Sequence, residues 1–149
     1  MLTNSSDTAA VERINHVAIV VADFDATVRM LTDALGMRCA RLGKLGRDES
    51  RRIAMITDGT GFKLEIIEAP APEAHEAGPA GASPAATFDH IAVRVRDVDE
   101  THERLQAIGF AERMAPRRLE PAHARTALLA EPHGMHVQII RYDDTSPDI

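Results

Sequence analysis

The sequence predicts an α+β fold built from two tandem βαβββ modules. Three observations carry this. The chain repeats itself with an offset of 73 to 74 residues, each half reads strand–helix–strand–strand–strand, and polar residues recur at matching positions inside apolar strands.

The repeat is visible residue by residue. Arg13-Ile14-Asn15-His16-Val17-Ala18-Ile19-Val20-Val21 aligns with Thr87-Phe88-Asp89-His90-Ile91-Ala92-Val93-Arg94-Val95, and Asp23, Asp25, Thr27 and Leu31 fall on Asp97, Asp99, Thr101 and Leu105 at offset 74. Gly36-Met37 falls on Gly109-Phe110 at offset 73, as does Gly61-Phe62-Lys63-Leu64-Glu65-Ile66-Ile67 on Gly134-Met135-His136-Val137-Gln138-Ile139-Ile140. One residue is therefore gained or lost between positions 31 and 36.

Periodicity then assigns the elements. The β-branched run Ile14 to Val21 is a strand. Asp23 or Asp25 caps the helix that follows, Val28, Leu31 and Leu35 give it an apolar stripe, and Gly36 ends it. Three strands follow near 37–45, 51–58 and 62–68, with Asp58-Gly59-Thr60-Gly61 as a hairpin turn. The second half places strands near 88–95, 110–115, 124–131 and 135–142, a helix over 98–108 stopped by Gly109, and a turn at Pro132-His133-Gly134. The expected organisation is a disordered tail over 1–11, a first module over 12–69, an Ala/Pro/Gly linker over 70–86, a second module over 87–142 and a tail over 143–149, all in one structural domain.

Composition narrows the function. A chain of 149 residues buries about 70% of its unfolded surface, so a core forms without disulfides. The single cysteine, Cys39, forms neither an internal disulfide nor a cysteine-based zinc site, which points to a reducing cytoplasm. The longest apolar run, Val17 to Ala22, is far too short to span a bilayer. A formal net charge of −6, no Trp and 3% aromatic residues argue against nucleic-acid partners.

The matched polar positions are the candidate chemistry. His16 and His90 lie in the first strand of each half, and Glu65 and Gln138 in the last. An acid within an apolar strand is costly unless it is paired or metal-bound. Pseudo-symmetry would gather two imidazoles, one carboxylate and one amide oxygen, a set suited to a divalent first-row metal with open positions. The plain alternative is a pair of hydrogen-bonded core histidines.

These motifs resemble the vicinal oxygen chelate superfamily, which includes glyoxalase I, methylmalonyl-CoA epimerase, extradiol dioxygenases and the fosfomycin and bleomycin resistance proteins. The resemblance rests on Asn15-His16-Val17-Ala18-Ile19, Leu35-Gly36-Met37, Lys63-Leu64-Glu65-Ile66-Ile67, Asp89-His90-Ile91-Ala92-Val93 and Glu131-Pro132-His133-Gly134-Met135-His136-Val137-Gln138-Ile139. It implies a cupped mixed sheet around a central cavity. It also implies that His16, Glu65, His90 and Gln138 hold a divalent ion (Zn, Ni, Co, Mn or Fe) and that the protein is a homodimer. The family's last ligand is commonly Glu after a Pro-Asp-Gly turn, whereas this chain has Pro132-His133-Gly134 and Gln138. The epimerase branch mixes Glu and Gln, but with Gln in the first half. Met30-Leu31 also replaces the aromatic pair often seen in the first helix.

The resemblance favours a metal-dependent lyase or isomerase of the glyoxalase or epimerase type, stabilising an enediolate of a small carbonyl or acyl-thioester compound. Glu65 or Glu49 is the candidate proton carrier, and His136, two residues before Gln138, is a further acid, base or substrate-lining group. Arg41, Lys44, Arg47, Arg51 and Arg52 offer a surface for a carboxylate or coenzyme A phosphates, or form a solvated strand edge. Two other readings share the scaffold. One is an extradiol ring-cleaving dioxygenase using His16, His90 and Glu65, and the other a drug-binding resistance protein with no enzymatic step.

Overall fold

The structure is a computed structural model, and it describes residues 11–70 and 86–143. The expected N-terminal tail, apart from Val11, most of the linker, and the C-terminal tail beyond Asp143 lie outside these residues. Among the described residues the chain forms two compact units. One comprises 16–70 with 86–89, and the other 11–15 with 90–143.

In the first unit, β1 (Val11–Val21) enters from the other unit and leads to α1 (Phe24–Arg29), β2 (Arg38–Leu45), β3 (Arg51–Thr57) and β4 (Lys63–Glu68). The strand order is β2-β3-β4-β1, with β1 parallel to β4 and the other pairs antiparallel. The second unit repeats the plan with β5 (Ala86–Val95), α2 (Val98–Ala107), β6 (Ala111–Leu119), β7 (Ala124–Ala130) and β8 (His136–Tyr142). Its order is β5-β8-β7-β6, again with one parallel pair, β5 and β8. The α+β class and the two βαβββ modules are thus as expected. β1 begins three residues before the predicted Ile14, and β6 runs four residues beyond the predicted 115.

The same local chemistry builds both modules. Asp23 caps α1 by accepting from Ala26 N at 2.9 Å, and Asp97 caps α2 by accepting from Glu100 N at 2.9 Å. Thr27 and Thr101 each donate a hydroxyl proton back to the capping residue's carbonyl. Asp25, the other candidate cap, instead faces Arg52.

Strand alternation divides each sheet into two faces. Under α1, Val21, Ala54, Ile56 and Ile66 pack with Phe24 and Leu31. Under α2, Val95, Ala127, Leu129 and Ile139 pack with Val98. The opposite faces are free to carry polar groups. A further hydrogen bond in the second unit joins the buried Tyr142 hydroxyl to Asn15 Oδ1 at 3.2 Å, and Arg94 Nε lies 2.9 Å from Glu12.

The helices differ at their ends. α1 continues as a π-helical turn, Met30–Ala34, with Leu35 N bonded to Met30 O five residues back. The extra residue in the first repeat falls here. Met37 N and its counterpart Phe110 N both bond the carbonyl of the matching leucine, Leu31 and Leu105, so the end of the helix is closed by the same bond across six residues in one module and five in the other. Leu35, which 3.6-residue spacing puts on the buried stripe, is 64% exposed, as is its repeat counterpart Ile108 at 70%, since each is the residue at which its helix ends.

Candidate active site

The face of each sheet away from its helix carries the predicted site residues. In the first unit His16, Ala18, Lys63 and Glu65 share that face, because His16 pairs in register with Lys63 and Ala18 with Glu65. His16 is buried, and its Nε2 lies 2.9 Å from Glu65 Oε2. Ala18 beside Glu65 has only a methyl group, which leaves the carboxylate room. Sequence reasoning pairs these two residues through the repeat alone, and the structure brings them into direct contact.

The spacing bears on metal binding. Two ligand atoms each about 2.1 Å from one ion and at right angles stand about 3.0 Å apart. The imidazole nitrogen and carboxylate oxygen are already at that separation, so this pair fits a divalent ion as well as a hydrogen bond.

In the second unit the corresponding face holds His90, Ala92, His136 and Gln138, with His90 in register with His136 and Ala92 with Gln138. His90 is buried, and His136 and Gln138 are half-buried. Gln138 Nε2 donates to Thr126 Oγ1 at 2.9 Å. His136 therefore shares a face with Gln138, as alternation predicts.

Two residues on these faces escaped the sequence reading. Lys63 is fully buried next to His16. Its signal was available, since it stands at the repeat position of His136. Thr126 is buried beside Gln138, and its repeat counterpart is Ile53, so the repeat gave no hint of a polar role.

Glu49 is placed differently. It sits exposed in the turn between β2 and β3 with φ +52°, six residues before Met55, the β3 residue opposite Glu65. Two residues of the basic stretch, Arg51 and Arg52, have structural partners. Arg51 Nε donates to Glu68 O at 2.7 Å, and Arg52 bonds both Asp25 and Glu68. In the second half Arg125 bonds Asp99, and Arg118 bonds Asp143 and Glu120. The guanidinium of Arg52 holds the Glu68 carboxyl down to about 2, and those of Arg52 and Arg125 hold Asp25 and Asp99 below the usual carboxylate range. A cavity of about 610 Å³ between α1 and the β2–β3 edge is lined by Phe24, Val28, Leu42 and Arg52. It lies on the helix side of the sheet, opposite the face that holds Glu65.

Comparison with known proteins agrees with this arrangement. A family model described as the glyoxalase/bleomycin resistance protein/dioxygenase superfamily matches residues 13–139. The methylmalonyl-CoA epimerase of Mycobacterium tuberculosis is similar in structure, with TM-score 0.70, 24% identity, and 96% of this chain and 93% of that chain covered. A methylmalonyl-CoA epimerase variant of Streptomyces coelicolor, in complex with 2-nitronate-propionyl-CoA, gives TM-score 0.66, 26% identity, and coverage of 89% and 98%. No curated protein sequence matches the chain significantly. Among the described residues no helix is long and apolar enough to cross a membrane.

Proposed function

Because this chain belongs to the glyoxalase/bleomycin resistance protein/dioxygenase superfamily, we propose that it is a metal-dependent isomerase or lyase acting on a carbonyl or acyl-thioester compound. An acyl-CoA thioester is the favoured substrate, on the likeness to methylmalonyl-CoA epimerases. The observation that carries the reading is the 2.9 Å approach of His16 Nε2 to Glu65 Oε2 on the helix-free face of the first sheet.

His16, Glu65 and His90 each offer one ligand atom, and Gln138 adds an amide oxygen. The donor set of two imidazoles, a carboxylate and an amide suits a divalent first-row ion. When bound, the ion supplies Lewis acidity toward the substrate carbonyl oxygen. The chain's own groups move the proton. A carboxylate, Glu65 in this reading, takes the proton from the carbon next to the carbonyl as that C–H bond breaks and its electron pair moves toward the carbonyl oxygen. The resulting enolate, an enediolate where that carbon bears a hydroxyl, is reprotonated at carbon, on the opposite face for epimerisation or at the neighbouring carbon for isomerisation. His136, half-buried on the face that carries Gln138, is assigned in this reading to steady an anionic oxygen of the substrate.

The test is proton exchange. Protein purified without chelator and supplied with Co²⁺ exchanges the C2 proton of methylmalonyl-CoA for deuterium in D₂O, read by NMR, and Glu65→Gln abolishes it. A protein that binds no divalent ion and exchanges no α-proton, of methylmalonyl-CoA or of a hemithioacetal, overturns the reading. The two-histidine, one-carboxylate set also favours a second reading, ring cleavage of catechols with Fe(II), which oxygen uptake detects. We also propose a homodimer in the cytoplasm, and light scattering at micromolar concentration tests the assembly.

A further inference from the structure

We infer that Thr126 is a positioning residue that fixes which end of the Gln138 amide faces a ligand. The inference rests on the proposed role of Gln138 as an oxygen donor and concerns a residue outside the donor set. Thr126 lies on β7, with its side chain on the same sheet face as Gln138 and one diagonal step away, since its register partner on β8 is Ile140. It is 1% exposed.

Two hydrogen bonds meet at its hydroxyl. Oγ1 donates to the carbonyl of Ile139 at 2.9 Å, and Gln138 Nε2 approaches the same oxygen at 2.9 Å. A threonine hydroxyl has one proton. That proton is committed to Ile139, so Oγ1 is an acceptor toward Gln138 and only the amide NH₂ satisfies it. The flipped amide would set Oε1 against an oxygen lone pair at the same distance. In a buried place that exchange loses one hydrogen bond and adds a repulsion. The NH₂ end is therefore tied to the sheet. Among the described residues no donor reaches Oε1, which is left as the end available to a ligand. Without that tie the amide would lose both its orientation and its fixed place against the sheet. Thr126 thus converts an ambivalent side chain into an oxygen ligand, as partners of metal ligands commonly do.

The test has two arms and uses the full chain with Thr126→Val and Thr126→Ser. The chain has two glutamines, Gln138 and the exposed Gln106. With glutamine alone ¹⁵N-labelled, the spectrum of metal-free protein therefore carries its own reference. In the parent and in Thr126→Ser, the Gln138 side-chain NH₂ protons exchange at least about tenfold more slowly than those of Gln106. In Thr126→Val they exchange like those of Gln106. The second arm is calorimetric titration with Ni²⁺, where Thr126→Val binds about 10–100-fold more weakly than the parent and Thr126→Ser binds as the parent does. Gln138 protons that exchange like those of Gln106 in the parent overturn the inference, whether or not Thr126→Val folds. So does a Thr126→Val protein that melts as the parent does and binds Ni²⁺ equally well. A parent that takes up no Ni²⁺ removes the metal reading instead, and the exchange arm still decides the orientation of the amide.

Discussion

Arg52 and Asp25 meet through a two-bonded fork, Nη1 to Oδ1 at 2.9 Å and Nη2 to Oδ2 at 3.1 Å. Arg125 and Asp99 form the corresponding fork in the second module, through Nε and Nη2, with two contacts of 2.6 Å. Each ties the first turn of a helix to the middle strand of its hairpin, at matching positions of the repeat. Paired oxygens and a planar guanidinium make such forks directional as well as attractive.

The forks are not equal. Arg52 also donates to Glu68 at 2.8 and 3.1 Å, and its guanidinium lies 4.5 Å from the Phe24 ring centroid. Position 141, the counterpart of Glu68, is an arginine. Arg52→Ala is therefore expected to lower the melting temperature by several degrees, and Arg125→Ala by less. Equal losses in parallel thermal melts would contradict this ordering.

Acid should undo the first fork. Glu68 is held at about 2 by its bonds to Arg52, below its ordinary value of 4.5. A carboxyl with a depressed folded value contributes stability that is complete above the unfolded value and lost as pH falls through the folded one. Asp25 shifts in the same direction. The melting temperature of the parent should fall between pH 4.5 and 2, and Glu68→Gln should fall less steeply across that window. Because these groups face solvent, 1 M salt should flatten the difference. A variant whose acid slope matches the parent's would show that the pair does not contribute.

Ligand substitutions separate the metal donors. His16→Ala and His90→Ala should each weaken Ni²⁺ binding by more than the roughly 10–100-fold typical of losing a supporting partner. Gln138→Glu should tighten it, because the added negative charge is a stronger donor than an amide. Titration calorimetry on the three variants reads this directly. Unchanged affinity in both histidine variants would remove the assigned site.

The two helix-ending glycines should not tolerate alanine alike. Gly36 has φ +68° with open space where a Cβ would go. Alanine adopts that left-handed conformation at a cost of roughly 1–2 kcal/mol. Gly109 has φ +103°, outside the region open to a residue with a Cβ. Gly109→Ala should therefore lower the midpoint of urea unfolding more than Gly36→Ala. The reverse order would be evidence against the described turn.

Much of this was legible because the repeat supplied two readings of each element. Strand alternation put His136 on one face with Gln138 before any coordinates, since period-2 patterning is local, and the repeat singled out His16, Glu65, His90 and Gln138. The failures have physical causes. Leu35 reads as a buried helical position only if the helix continues through it, and it is instead the residue at which the helix ends, as is the exposed Ile108 in the second module. β6 reads as short because Pro116 and three arginines interrupt its pattern, yet an edge strand with exposed side chains accepts them. Lys63 escaped notice because lysine is almost never fully buried. Thr126 matters through a diagonal contact between strands, which requires the register to be known.

A strand has a parity that a helix lacks. Each added residue exchanges the odd and even positions of everything downstream, whereas a helix turns by about 100° and closes again. Had the surplus residue of the first repeat been carried past Gly36, β2 would have sent Arg41 toward the helix and Leu42 away from it. Because the π turn swallows it first, Arg38 and Cys39 meet Thr57 and Ile56 just as Ala111 and Glu112 meet Ala130 and Leu129. The same irregularity, between 39 and 41 and between 112 and 114, then follows in both strands. The odd turn of α1 thus acts as a phase corrector, keeping the two halves of a duplicated chain in step.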